Sequence, residues 1–188
     1  MNLFGWFKSR GSERNGALGQ WRVEWAAAIE GTGSGDERLR TRLAELAAIE
    51  PDVELEQEML DALDQLRSVQ ADAATGGLPT VETHHRVIGA DTCHFSAPAS
   101  LASDQSQASG RVLLTGSRAV FVGAGRTSAT AWHMVREVGR AERDVYFVRA
   151  DGAPAAHFRF NTFGDAVVCA FLAQQLKSER TPPSIIAG

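Results

Sequence analysis

Residues Gly110 to Phe121 read GRVLLTGSRAVF. Val112-Leu113-Leu114 and Ala119-Val120-Phe121 are short apolar runs on either side of Gly116-Ser117, and a Gly-Ser pair between such runs is a hairpin signal. The stretch therefore predicts two antiparallel strands joined by a tight turn. Working outward, β-branched and aromatic residues alternate with polar ones at Glu82 to Ile88, Thr92 to Ala97, Ala129 to Val135, Arg143 to Ala150 and Ala155 to Asn161, with a short strand near Val138. In the last full strand Ala156, Phe158 and Phe160 share one face while His157 and Arg159 share the other, the alternation of a half-buried antiparallel strand.

The spacing G-x-V-x-x-T-x-x-R-x-x-F, met by Gly110, Val112, Thr115, Arg118 and Phe121, resembles the hairpin of GRAM and bacterial pleckstrin-homology-like domains. A Trp-bearing strand from Ala131 to Val135, two further strands and a helix from Phe163 to Leu176 follow in the order such domains use. The resemblance covers roughly Glu82 to Leu176. It implies an α+β chain: an antiparallel β-barrel whose open end is plugged by the C-terminal helix, with Val167, Val168, Phe171, Leu172 and Leu176 as the apolar stripe of that plug. It also implies a non-catalytic interaction module. Family members that bind phosphoinositides use cations on the first barrel loops, whereas Ser103 to Ser109 and Gly89-Ala90-Asp91 contain none.

Before this unit, Leu18, Trp21, Trp25 and Ile29 recur at three- and four-residue steps, which predicts a helix ending at Gly31-Thr32-Gly33. Asp36 is a candidate cap for a second helix carrying Leu39, Leu43 and Leu46, and Pro51 precedes a third with Leu55, Met59, Leu63, Leu66 and Val69. Residues 1–16 are thus a flexible aromatic and basic N-terminus, 17–75 a three-helix extension, 81–178 the barrel and 179–188 a tail. The Gly/Pro break at Thr75 to Thr80 is the domain boundary. The two tryptophans carry more apolar area than three short helices hide among themselves, so the extension is expected to dock on the barrel or on a second copy of the chain.

Composition narrows the function. The 188 residues include 44% hydrophobic and 22% charged side chains, values of a globular protein. Residues 1–80 carry 14 acidic and 8 basic side chains and the remainder 9 and 11, so neither part has the dense basic surface of a nucleic-acid binder. From Glu50 to Asp72 eight acidic residues face one base, Arg67: either a solvated face or a surface for a basic partner. No apolar run reaches a membrane-spanning length and no secretory signal stands at the N-terminus, so a cytoplasmic location is expected. Leu3, Phe4, Trp6, Phe7 and Lys8 could contact a partner or lie at an anionic membrane surface, making the chain a peripheral membrane adaptor.

Two further sets bear on chemistry. His84, His85, Cys93 and His94 could serve a metal-dependent or Cys/His-dependent enzyme. Alternation along a strand, however, brings only two of them to one face, where zinc takes three or four ligands. No metal and no cofactor is therefore expected, nor catalysis or a small-molecule substrate. Arg126, Arg136, Arg140, Arg143, Arg149 and Arg159 are candidate binding residues if the barrel gathers them into one patch. A protein partner or self-association is the expected role.

Overall fold

The computed structural model describes residues 16–31, 33–49, 52–102 and 108–180. Three helices come first: α1 (Gly16–Glu30), α2 (Asp36–Ala47) and α3 (Glu54–Gly76). Seven strands follow: β1 (Cys93–Leu101), β2 (Ser109–Thr115), β3 (Arg118–Gly123), β4 (Arg126–Ala131), β5 (Val135–Ala141), β6 (Asp144–Arg149) and β7 (Pro154–Phe160). The helix α4 (Phe163–Arg180) comes last among the described residues. Single 3-10 turns occupy Arg86–Ile88 and Trp132–Met134.

All strand pairs are antiparallel, in the spatial order β4-β3-β2-β1-β7-β6-β5. In a flat sheet β3 and β7, three positions apart, would lie roughly 14 Å from each other. Yet the Phe121 and Phe158 rings stack with centroids 6.2 Å apart. The sheet must curl on itself, and what fills the curl is one aromatic and aliphatic core. Phe147 joins Trp132 and Phe158 edge to face at 5.7 and 5.6 Å, and Phe95 meets Phe160 at 6.0 Å. α4 lays Ala166, Cys169, Ala170, Leu172, Ala173 and Leu176 into the same core, as the expected plug requires.

Each residue of the motif at Gly110 to Phe121 has a mechanical part in this. Gly110 lies opposite Gly123, and a Cβ on Gly110 would come within 2.3 Å of the Val122 carbonyl oxygen and 2.7 Å of Phe121 Cζ. Only glycine leaves room for that ring. Val112 and Phe121 are fully buried in the core. The Thr115 hydroxyl holds the turn by donating to the Arg118 carbonyl at 2.9 Å and accepting from the Arg118 N–H at 3.2 Å. Arg118 reaches outward to the Val87 carbonyl at 3.1 Å.

Three sequence expectations for this part are corrected. Glu82 to Ile88 is not a strand: after Val81 N–H bonds to the Cys93 carbonyl at 2.8 Å the segment leaves the ladder and ends in the first 3-10 turn. There Ile88, with Val81 and Val87, covers Cys93, Leu113 and Val120 on the sheet's outer face, so its apolar side chains pack across strands instead of pairing with one. Trp132 lies in the second 3-10 turn, between β4 and β5, and not in a strand. The short strand near Val138 is the full edge strand β5. An irregularity in β1 between Cys93 and Phe95 turns Cys93 to the outer face and Phe95 to the inner one.

The helical extension docks on its own sheet through α4. Leu18, Trp21 and Trp25 of α1, Leu39 and Leu43 of α2, and Met59, Leu60, Ala62, Leu63 and Leu66 of α3 form a second core with Phe163 and Val167. The plug stripe read from the sequence is therefore split, with Val167 facing the helices and Leu172 and Leu176 facing the sheet. Arg67, the one base of its acidic segment, donates to the Ala28 carbonyl at 2.7 Å and the Gly31 carbonyl at 3.1 Å, satisfying the C-terminus of α1. It also pairs with Asp36 at 2.7 Å. Asp36 is thus no N-cap; Gly35 holds that position without a side-chain bond.

Candidate binding surface

The six candidate arginines are not gathered into one patch. Arg140 lies over the Trp25 ring at 5.2 Å and Arg143 over Phe163 at 4.9 Å, so both clamp the helices to the sheet. Burial pushes the Arg140 pKa down. Arg143 also pairs with Glu58 of α3, whose other carboxylate oxygen accepts the Phe163 N–H at 3.0 Å and so caps α4. Arg149 pairs with Asp151 at 3.3 Å across the β6–β7 turn. Arg126 and Arg136 stand exposed on the two edge strands. Leu3, Phe4, Trp6, Phe7 and Lys8 lie outside the described residues.

Three of the eight acids from Glu50 to Asp72 are paired inside the chain. Glu56 is buried against Arg22, Glu58 binds Arg143 and Asp64 binds Arg40. These partners come from α1, α2 and the β5–β6 turn.

Arg159 grips Asp144 with two bonds of 2.8 Å on the outer face of β6 and β7. His157, stacked on Tyr146 at 4.2 Å, holds Nε2 3.5 Å from the same carboxylate. Burial by itself would raise the Asp144 pKa, but the bonds and charges of His157 and Arg159 win and lower it to about 2. A folded-state pKa below the unfolded one stabilises above the unfolded value and stops doing so as pH falls through the folded one. Asp144→Asn is therefore expected to cost about 2 kcal/mol at neutral pH, with the gap to the parent nearly closed at pH 2. Thermal melting of both proteins from pH 7 to 2 checks this, and a gap that persists at the acid end contradicts it.

The His/Cys set is dispersed. Cys93 is buried, its thiol donates to the Phe95 carbonyl at 3.1 Å, and burial pushes its pKa up. Cys169 is buried in the core, and its pKa too is pushed well up by burial. His94 Nδ1 lies 2.8 Å from the Pro79 carbonyl oxygen. Among the described residues no three His, Cys, Asp or Glu side chains stand close enough to hold a metal ion. No described helix is long and apolar enough to cross a membrane.

His84 and His85 instead border an open groove of about 460 Å³ on the outer face of the sheet. One wall is the stretch Val81 to His85 after it parts from β1; the other is Ser96 of β1 and Arg111 of β2. Alternation along the strands decides this. Val112 and Phe95 point into the core, so their neighbours Arg111 and Ser96 point out, and Arg111 Nη1 donates to Ser96 Oγ at 2.9 Å. The sequence reading passed over Arg111, the second residue of the motif stretch. The signal was its alternation with Val112.

No family model matches the chain, and no curated protein matches it. Among solved structures, the C-terminal domain of an unknown protein from Leishmania infantum aligns with a TM-score of 0.41 at 11% identity, covering 48% of this chain and 88% of that one. The linker-DH/PH domains of p115-RhoGEF align at 0.43 and 10%, covering 88% and 55%. The DH/PH domains of PDZ-RhoGEF, solved in complex with activated RhoA, align at 0.39 and 12%, covering 87% and 53%. The chain thus spans about half the length of the two RhoGEF structures. With all three scores below 0.5, the fold established for this chain is the one its strand order and packing define: an α+β unit whose curled antiparallel sheet of seven strands is filled by a C-terminal helix.

Proposed function

We propose that the chain is a non-catalytic, pleckstrin-homology-like interaction module that works through its outer surface. The observation that carries this is the filled interior. Trp132, Phe121, Phe147, Phe160, Leu172 and Leu176 are all essentially inaccessible, so a ligand is met outside the sheet and not within it. The strand order and the helix in the mouth of the sheet support the pleckstrin-homology-like reading. A scaffold with two edge strands, β4 and β5, unpaired among the described residues, and a polar groove suits recognition of a protein partner or a second copy. The GRAM assignment and the cytoplasmic location are part of the same proposal.

The test combines light scattering of the intact chain over a wide concentration range, co-sedimentation with anionic vesicles, and mild affinity purification. Self-association or a stoichiometric protein companion supports the reading. Vesicle binding lost on deleting residues 1–10 would replace the partner by a membrane surface. A chain that stays monomeric, ignores vesicles and retains no companion overturns the proposal.

A further inference from the structure

We propose that the groove between Val81–His85 and the β1–β2 surface is a phosphate-binding site for a small phosphate monoester, with Arg111 as its anchor. The inference rests on the interaction-module reading and names a ligand for it. Arg111 is half-buried, and among the described residues its one hydrogen bond leads to a neutral hydroxyl, that of Ser96. That bond fixes the direction of the guanidinium and spends one of its five N–H donors, leaving a planar fork pre-set for two oxygens of one oxyanion.

Three other arginines of the sheet and its turns show one contrast, although Arg118 and Arg140 also bond to carbonyls only. Arg143, Arg149 and Arg159 each hold a carboxylate of this chain, whereas Arg111 holds none among the described residues. His84 and His85 border the same groove, and an imidazole offers an N–H donor in either neutral tautomer. One fork and two imidazoles exceed what a single carboxylate needs and suit the three oxygens of a phosphate. Glu82, also on the border, would repel a bare polyanion and instead accepts a hydroxyl of the group that carries the phosphate. The groove volume is within the range of small-molecule sites.

The experiment titrates the intact chain with inorganic phosphate, then with glycerol phosphate. The Arg111 side-chain and the His84 and His85 ring resonances are followed by NMR. The expected result is a joint, saturable shift of these signals with tighter binding of glycerol phosphate. Arg111→Gln should weaken it at least about tenfold while melting like the parent, and Arg111→Lys, which keeps the charge and loses the fork, should fall between. Vesicles containing phosphatidic acid form a separate arm. Capture there that Arg111→Gln abolishes places the phosphate on a lipid headgroup, and no capture places it on a soluble molecule. Shifts that never saturate, or that Arg111→Gln leaves unchanged, overturn the site. If phosphate fails while a partner is still retained, this inference falls alone; if phosphate saturates and no partner is found, the module reading falls and the site stands.

Discussion

Trp132→Ala is expected to lower the melting temperature by about 6 to 20 °C, from a loss of about 3 to 5 kcal/mol in a chain of this length. Trp132 is 2% exposed, meets Phe147 edge to face, and donates its indole N–H to the Thr115 carbonyl at 2.8 Å. The substitution opens a cavity at the junction of β4 and β5 and strips the partner from a buried carbonyl at the hairpin turn. Trp132→Phe should recover much of the packing and little of the hydrogen bond. Differential scanning calorimetry of the three proteins decides it, and an alanine variant that melts close to the parent would contradict this account of the core.

The second large effect is expected at Trp25, in the other core. Its indole packs edge to face on Phe163 at 5.7 Å, donates to the Met59 carbonyl and carries the Arg140 guanidinium on its ring. Trp25→Ala removes three links at once, between α1 and α3, α1 and α4, and α1 and β5, and should cost about 3 to 5 kcal/mol. The same packing bears on whether residues 81–180, the unit after the Gly/Pro break, would stand alone. Cut away from α1 to α3, that fragment would present Phe163 and Val167 to water and lose the Glu58 carboxylate that caps α4. It should associate or melt well below the intact chain. A monomeric fragment with an undiminished melting temperature would show that α4 needs no cover.

Much of this architecture was legible because it is local. The hairpin at Gly110 to Phe121, the α1 stripe with Trp21 and Trp25, and the end of α3 at a glycine with φ of 83° follow from neighbours in the chain. What escaped depends on distant ones. Val81, Val87 and Ile88 look like strand residues because they are apolar and β-branched, but their partners are the outward faces of β2 and β3. The stripe on α4 looked like one surface because a helix with apolar residues on two sides shows no clean amphipathic period. The candidate site was hidden for a related reason: Arg111 was legible as a motif position, while the groove beside it exists only because the chain from Val81 to His85 leaves β1. Of the arginines read as a patch, Arg143 is instead claimed by an acid far away in sequence, Glu58, and Arg140 by the Trp25 ring.

The bond from the Phe163 N–H to Glu58 joins positions 105 residues apart. As the polypeptide emerges from the ribosome, α1 to α3 are made first and the strands next, yet neither hydrophobic interior can be sealed until α4 is released. The nascent chain therefore carries Trp25 without its Phe163 neighbour throughout synthesis of the sheet, and a single late segment closes both halves together. Loop closure over that span makes the final step slow for a chain of this size. A chaperone that shields aromatic side chains would act on Trp25 during that interval, before α4 arrives, and would find it covered afterwards.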